Sequence, residues 1–239
     1  MRQVPEKEDI PYLIVGNGKL AKHLKFYFNS LDISYSSWNR NSSIPFHQLA
    51  GNCQKILVAI SDTAIEEFIC ENELSDKLYI HFSGALEIET AESVHPLMTF
   101  SDILFEESFY KSIPFVTTKG RIPFKDLFPE LANPSYQIES DQKTFYHTWC
   151  SIAGNFTSIL WTEFFNTFEA QLGIDKSAAY PYLKKISENL ISSSNPLTGP
   201  LARGDSITIQ RHLLALDGED IENVYKAFVE FYNHKLKSN

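Results

Sequence analysis

Apolar and polar positions follow two different regimes along the chain. Up to about residue 140, short apolar runs recur: PYLIV (11–15), ISYSSW ending at Trp38, KILVAI (55–60), KLYIHF (77–82), SVHPL (93–97), PFVTT (114–118) and SYQIE (135–139). Runs of this length, rich in β-branched and aromatic residues, predict strands. KILVAI lacks the polar alternation of a half-exposed strand, as expected of a central parallel strand covered on both faces. Between the first two runs, Leu20, Leu24, Tyr27, Phe28 and Leu31 fall at helical spacing over 19–30. After KILVAI, Ala64, Ile65, Phe68 and Ile69 do the same, with Asp62 placed as the helix N-cap. The alternation of strand and helix predicts a doubly wound parallel sheet.

Beyond residue 140 the strand-like runs stop and helical spacing takes over. One long helix is predicted from Asp141 to Leu172, then helices over 175–193, 206–216 and 219–236, with the loop SSSNPLTGPLARGD breaking the pattern. The expected organisation is α/β: a Rossmann-like sheet domain over 1–140 and an all-helical domain over 141–239.

Composition narrows the function classes. With 21 Lys and Arg against 30 Asp and Glu, the 239-residue chain carries a formal charge of -9. An acidic surface repels phosphate backbones and anionic lipid, so nucleic-acid and membrane-surface partners are not expected. No apolar run reaches the roughly 18–20 residues that cross a bilayer, and MRQVPEKEDIPYLIVG does not read as a signal peptide. Cys53, Cys70 and Cys150 are odd in number and widely spaced, which supports neither a disulfide framework nor a metal site. Reducing cytoplasm is the expected compartment.

The chemistry begins at Gly16-Asn17-Gly18-Lys19-Leu20-Ala21, a G-x-G-x-x-A string directly after a strand and opening a helix. Gly16 suits a tight turn, Gly18 lets backbone approach a pyrophosphate, and Ala21 keeps helix and strand close. The helix N-terminus then receives the anion. The second strand ends Ser36-Ser37-Trp38-Asn39-Arg40-Asn41 without the acid that holds a ribose in NAD sites. Arg40 there suits a 2′-phosphate, with Trp38 or Arg40 stacking on adenine, so NADP(H) is the expected cofactor. Asn39, Ser61, Asp62, Ser83, Gly84 and His95 stand at or just beyond strand ends, along the carboxyl edge where such a cofactor lies.

On the long helix, Phe145, Trp149, Ile152, Phe156, Ile159, Leu160, Phe164, Phe168 and Leu172 form a stripe with the spacing of a packed face. A polar row, Lys143, His147, Ser151 and Asn155, starts about 160° away from Phe145. Reduction of a ketone needs an oriented substrate and a proton for the nascent alkoxide. Lys143 or His147 can supply that proton, and Asn155 and Ser151 can bind substrate. In the loop, Arg203 suits a carboxylate and Asp205 either caps the following helix or joins the substrate site.

Taken together, GNGKLA, HFSGAL, HPLMTF, the His147 to Asn155 helix and TGPLARGD resemble the Rossmann-like oxidoreductases related to pyrroline-5-carboxylate reductase and the 6-phosphogluconate-dehydrogenase-like proteins. At this chain length the resemblance is to the compact, alternative ketopantoate reductases. It implies NADPH-dependent reduction of 2-dehydropantoate, a small 2-oxo acid, to (R)-pantoate, in a homodimer. The Lys143 and His147 row does not match the usual Lys and Glu pair of ketopantoate reductases, which leaves the proton donor open between them. Reduction of a cyclic imine such as pyrroline-5-carboxylate, or NADP(H) sensing without turnover, are the alternatives.

Overall fold

The computed structural model describes residues 11–237, so the reading of the N-terminal segment over 1–10 lies outside the described residues. The chain divides into two compact units after Trp161. In the first, strands β1 (Tyr12–Val15), β2 (Tyr35–Trp38), β3 (Lys55–Val58), β4 (Leu78–His81), β5 (Ala91–Pro96), β6 (Phe115–Thr118) and β7 (Ser135–Ile138) form one sheet. Its order is β2-β1-β3-β4-β5-β6-β7.

Alternate side chains of each strand point to opposite faces, and both faces are covered. On one, Tyr12, Ile14, Leu57 and Ile80 pack with Leu24 and Phe28 of α1 (Lys19–Ser30), Tyr110 of α4 (Glu107–Tyr110) and Leu127 of α5 (Phe124–Leu127). On the other, Leu13, Val15, Ile56 and Val58 pack with Phe46 of α2 (Phe46–Ala50) and Ile65 and Ile69 of α3 (Asp62–Glu71). This is the doubly wound, Rossmann-like architecture expected from the pattern.

One strand runs against expectation. β2 through β5 are parallel, but β6 is antiparallel to β5, and β7 is parallel to β6. Pro96 pairs with Phe115, and the Leu97 amide donates to the Pro114 carbonyl at 2.9 Å, so the chain re-enters the sheet at the edge it left. The intervening α4 spans only about 6 Å, too short to carry the chain back across the sheet.

The helices beyond the sheet follow the predicted spacing. The long helix is α6 (Lys143–Ser151), a π-helical turn (Ile152–Phe156) and α7 (Thr157–Ala170). α8 (Tyr180–Ser192), α9 (Pro200–Arg203), α10 (Ser206–Ala215) and α11 (Glu222–Lys237) complete the second unit. The change in texture at residue 140 precedes the division of the compact units, because α6 packs against the sheet. The first half of the apolar stripe is not a packed face of this chain, with Phe145 68% exposed and Ile159 61%, whereas Leu160, Phe164 and Phe168 further along are half-buried. Trp149, Ile152 and Phe156 are exposed too. No described helix is long and apolar enough to cross a membrane.

Candidate functional site

The site begins where β1 meets α1. Gly16 holds φ +124°, and a Cβ there would lie 2.2 Å from the Ala59 carbonyl oxygen. Only glycine lets the turn nest against the end of β3. Its amide donates to the Trp38 carbonyl at 2.8 Å, joining the ends of β1 and β2. Gly18 stands at the N-cap of α1 with no side-chain acceptor, and no acid lies in the first turn. Orphan N–H groups there face solvent beside exposed Asn17, Gly18 and Lys19. A Cβ on Gly18 would meet nothing within 4 Å, so the space above the turn is open. Lys19 and Lys22 pair loosely with Asp102, at 3.8 and 3.5 Å. Leu20, in the first turn of α1, instead packs against the core.

At the end of β2 the backbone is tied into a small turn. The Asn39 amide donates to Ser42 Oγ at 2.9 Å and the Asn41 amide to Asn39 Oδ1 at 3.0 Å. Arg40 projects from this turn into solvent. Trp38 is half-buried at the end of β2. It packs edge-on to Phe46 and beside Phe68, and its indole N–H donates to the Ile44 carbonyl at 3.2 Å.

The ends of β3, β4 and β5 lie side by side. Ser61, not Asp62, occupies the N-cap of α3, and Asp62 is the first helical residue. Its carboxylate accepts from Ser83 Oγ at 2.6 Å, while Ser83 Oγ accepts from the Leu86 amide at 3.1 Å. Asp62 thereby fastens the turn after β4 to the start of α3. Gly84 follows Ser83, and a Cβ there would lie 2.4 Å from His147 Cδ2 and 3.0 Å from His95 Nε2.

α6 climbs the sheet beside β5. One turn of four residues rises about 6 Å, close to the roughly 6.6 Å covered by two strand residues. Lys143 therefore meets Ser93 while His147 meets His95, two residues further along β5. Only the second level reaches the edge. Lys143 is buried, and its Nζ donates to the Leu86 carbonyl and Ser93 Oγ and pairs with Glu87 at 3.0 Å. Its ammonium hydrogens number three, matching these acceptors. Glu87 also accepts from Thr118 Oγ1 at 3.1 Å. Burial pulls the Lys143 ammonium below the usual lysine range, and Glu87 opposes the shift.

The rest of the polar row reaches open space. His147, Ser151 and Asn155 line a cleft of about 400 Å³ together with His95, Thr99 and Cys150. The π-helical turn brings Ala153, Gly154 and Asn155 to the same wall. The His95 and His147 rings meet edge to face, 5.4 Å between centroids. Burial, and then the neighbouring His147 and Lys143, push His95 down to about 4, so it is a neutral imidazole near neutral pH.

Sequence reasoning missed Tyr146, whose hydroxyl lies 2.8 Å from His95 Nδ1. An aromatic beside His147 carries no signal that separates it from a packing residue. Burial and then hydrogen bonding to Cys150 raise the Tyr146 phenol well above its usual range. His81 was also missed. It is fully buried on β4 with neither ring nitrogen hydrogen-bonded, and burial, Lys143 and Arg121 push it down to about 3.

In the second unit, Arg203 is exposed at the end of α9. Asp205 caps α10, accepting from the Thr208 amide at 3.0 Å and from Thr208 Oγ1 at 2.8 Å. Both its carboxylate oxygens are thus engaged within the cap. Among the described residues no cluster of His, Cys, Asp and Glu could hold a metal ion.

The model of a domain of unknown function, DUF2520, matches residues 118–231, and no curated protein matches the sequence. The "putative NADP oxidoreductase BF3122" of Bacteroides fragilis has a similar structure, with a TM-score of 0.75 at 18% identity over 95% of this chain and 99% of that one. Protein TM1727 of Thermotoga maritima gives 0.69 at 19% identity, over 95% and 98%. Plasmodium falciparum pyrroline carboxylate reductase, solved with NADP bound, gives 0.57 at 14% identity, over 96% and 98%. At these identities the likeness is one of fold, extending along nearly the whole of each chain.

Proposed function

We propose that the chain is an NADP(H)-dependent reductase of a small carbonyl compound, with ketopantoate as the substrate that the sequence resemblance implies. The observation that carries this reading is the convergence of His95, His147, Ser151 and Asn155 on one cleft at the carboxyl edge of a doubly wound sheet. That edge is where ligands bind in such folds, and the structural neighbours named above include a reductase solved with NADP bound.

The residues present fit the cofactor. The open space over Gly18 and the uncapped start of α1 suit a pyrophosphate. Asn39 and exposed Arg40 suit a 2′-phosphate at the end of β2, where no acid competes. Ser61, Asp62, Ser83, Gly84 and His95 continue the path toward the cleft. NADPH supplies the hydride when bound. The chain contributes orientation and a proton: His147 protonates the substrate oxygen, and Asn155 and Ser151 hold the substrate's polar groups. Lys143 does not serve as donor in this scheme; it braces the segment that carries Gly84.

Arg203, at the end of α9 in the second unit, has the bidentate chemistry that the carboxylate of a 2-oxo acid takes. A second reading rests on the cleft itself. Among the described residues its lining includes no Lys, Arg, Asp or Glu, which suits an uncharged ketone or imine as well. We include a homodimer in the proposal. The uncovered stripe Phe145, Trp149, Ile152 and Phe156 supports it, because a contiguous apolar patch of this kind marks an interaction surface. Reducing cytoplasm is the compartment that the odd number and wide spacing of Cys53, Cys70 and Cys150 suggest.

Calorimetric titration with NADPH and NADH tests the cofactor assignment. Selective binding of NADPH, lost in Arg40→Ala while weak NADH binding persists, is the expected result. Absence of binding by either nucleotide overturns the reading. Binding without turnover of any carbonyl or imine leaves a nucleotide sensor.

A further inference from the structure

We propose that Tyr146 is a positioning residue: its hydroxyl donates to Nδ1 of His95 and so fixes the imidazole as the Nε2–H tautomer, presenting that N–H at the cleft. The geometry needs three elements to meet. β5 delivers His95 to the edge, α6 delivers Tyr146 and His147 one residue apart, and Gly84 leaves room for both rings. The Tyr146 hydroxyl stands 2.8 Å from His95 Nδ1, and the two rings meet edge to face with centroids 5.6 Å apart. On the opposite side of the ring, Nε2 lies toward Gly84 and has no hydrogen-bond partner among the described residues, while His95 itself lines the cleft.

A neutral imidazole carries one donor and one acceptor nitrogen. Burial keeps His95 neutral, and burial and Cys150 keep the Tyr146 phenol protonated. With the phenol as donor, Nδ1 must accept and the hydrogen must sit on Nε2. That N–H matches a ligand offering a carbonyl oxygen, whether a ketone or a carboxamide. The use of the N–H in reduction rests on the reductase reading; the tautomer does not.

The molecule contains its own reference. His23 Nδ1 lies 2.7 Å from the Tyr110 hydroxyl and His23 Nε2 lies 3.0 Å from the Ser101 carbonyl. A carbonyl can only accept, so His23 carries its hydrogen on Nε2 and accepts from a tyrosine at Nδ1. Long-range proton–nitrogen correlation spectra of protein labelled with nitrogen-15 histidine read both tautomers directly. In the wild type, His95 is expected to show the same pattern as His23, a bare Nδ1 and a protonated Nε2. In Tyr146→Phe, both His95 nitrogens should move toward the averaged shifts of exchanging tautomers, with His23 unmoved. A wild-type His95 protonated at Nδ1 overturns the proposal without any variant, as does a Tyr146→Phe spectrum identical to the wild type. If no substrate is turned over but the tautomer is as stated, the reductase reading fails alone.

Discussion

His95 and His147 come from a strand and a helix that are neighbours only in the folded chain, and their rings meet edge to face at 5.4 Å and 85°. The contact is possible because residue 84 is glycine. A Cβ at that position would lie 2.4 Å from His147 Cδ2 and 3.0 Å from two atoms of His95. Pairing of the two histidines and the missing side chain are therefore one structural feature.

Gly84→Ala should separate the pair. Overpacking of this kind costs about 1–3 kcal/mol, so a fall in Tm measured by thermal unfolding is expected. Turnover should fall further than stability explains, because His147 must leave its place at the cleft. A variant with unchanged Tm and unchanged kcat would show that the ring does not hold this position.

Lys143→Met distinguishes a brace from a proton donor. Removing the ammonium leaves Glu87, Ser93 Oγ and the Leu86 carbonyl without their common partner. Breaking a buried pair by removing one partner costs about 3–5 kcal/mol. Glu87 retains partial access to water, with a side chain 32% exposed, which puts the cost nearer about 3 kcal/mol. Urea unfolding should show that loss. Wild-type stability with an abolished kcat would instead return Lys143 to the chemistry.

The two glycines of the fingerprint should behave differently. Gly16→Ala meets the Ala59 carbonyl at 2.2 Å with a φ of +124°, so the variant should be severely destabilised or fail to fold. Gly18→Ala adds a Cβ to open space at an ordinary φ of -74° and should keep its Tm. In the proposed reading the pyrophosphate comes closest in that space, so NADPH affinity should nevertheless drop by about tenfold, roughly 1.4 kcal/mol. Equal affinity in Gly18→Ala and wild type would remove the pyrophosphate from this turn.

Acid should weaken the fold through two histidines. His81 and His95 have native values pushed down to about 3 and about 4, against 6.5 for an ordinary histidine. As pH falls below that ordinary value the unfolded chain takes up protons that the native chain refuses. Their stabilising contribution is whole above about pH 6.5 and is lost progressively toward the native values, each at up to about 1.4 kcal/mol per pH unit. His81→Leu should reduce the slope of unfolding free energy by about one proton between pH 6 and 5. An unchanged slope would mean that His81 is charged in the native state.

Much of the architecture was legible because it rests on periodicity. Strands such as KILVAI and the long helix from Lys143 onward declare themselves by spacing, and Gly16 and Gly18 by their place between strand and helix. The direction of β6 was not legible, since it depends on Pro96 and Phe115 meeting across a loop. Spacing put Lys143, His147, Ser151 and Asn155 on one helix face but could not tell where the sheet ends beneath it. One turn makes the difference between Lys143 buried against Ser93 and His147 at the cleft. For the same reason the stripe from Phe145 to Ile159 is an apolar face in sequence and an exposed one in this chain. Periodicity says that a face is apolar and is silent on what covers it.

The most direct test of the central claim is NADPH oxidation by the purified protein, followed by absorbance, with ketopantoate, pyrroline-5-carboxylate and an uncharged cyclic imine offered in parallel. Selective turnover of one of them with NADPH and not NADH, abolished in His147→Ala, is the result predicted. Oxidation that is unaffected by His147→Ala, or no oxidation with any carbonyl or imine despite bound NADPH, would contradict it.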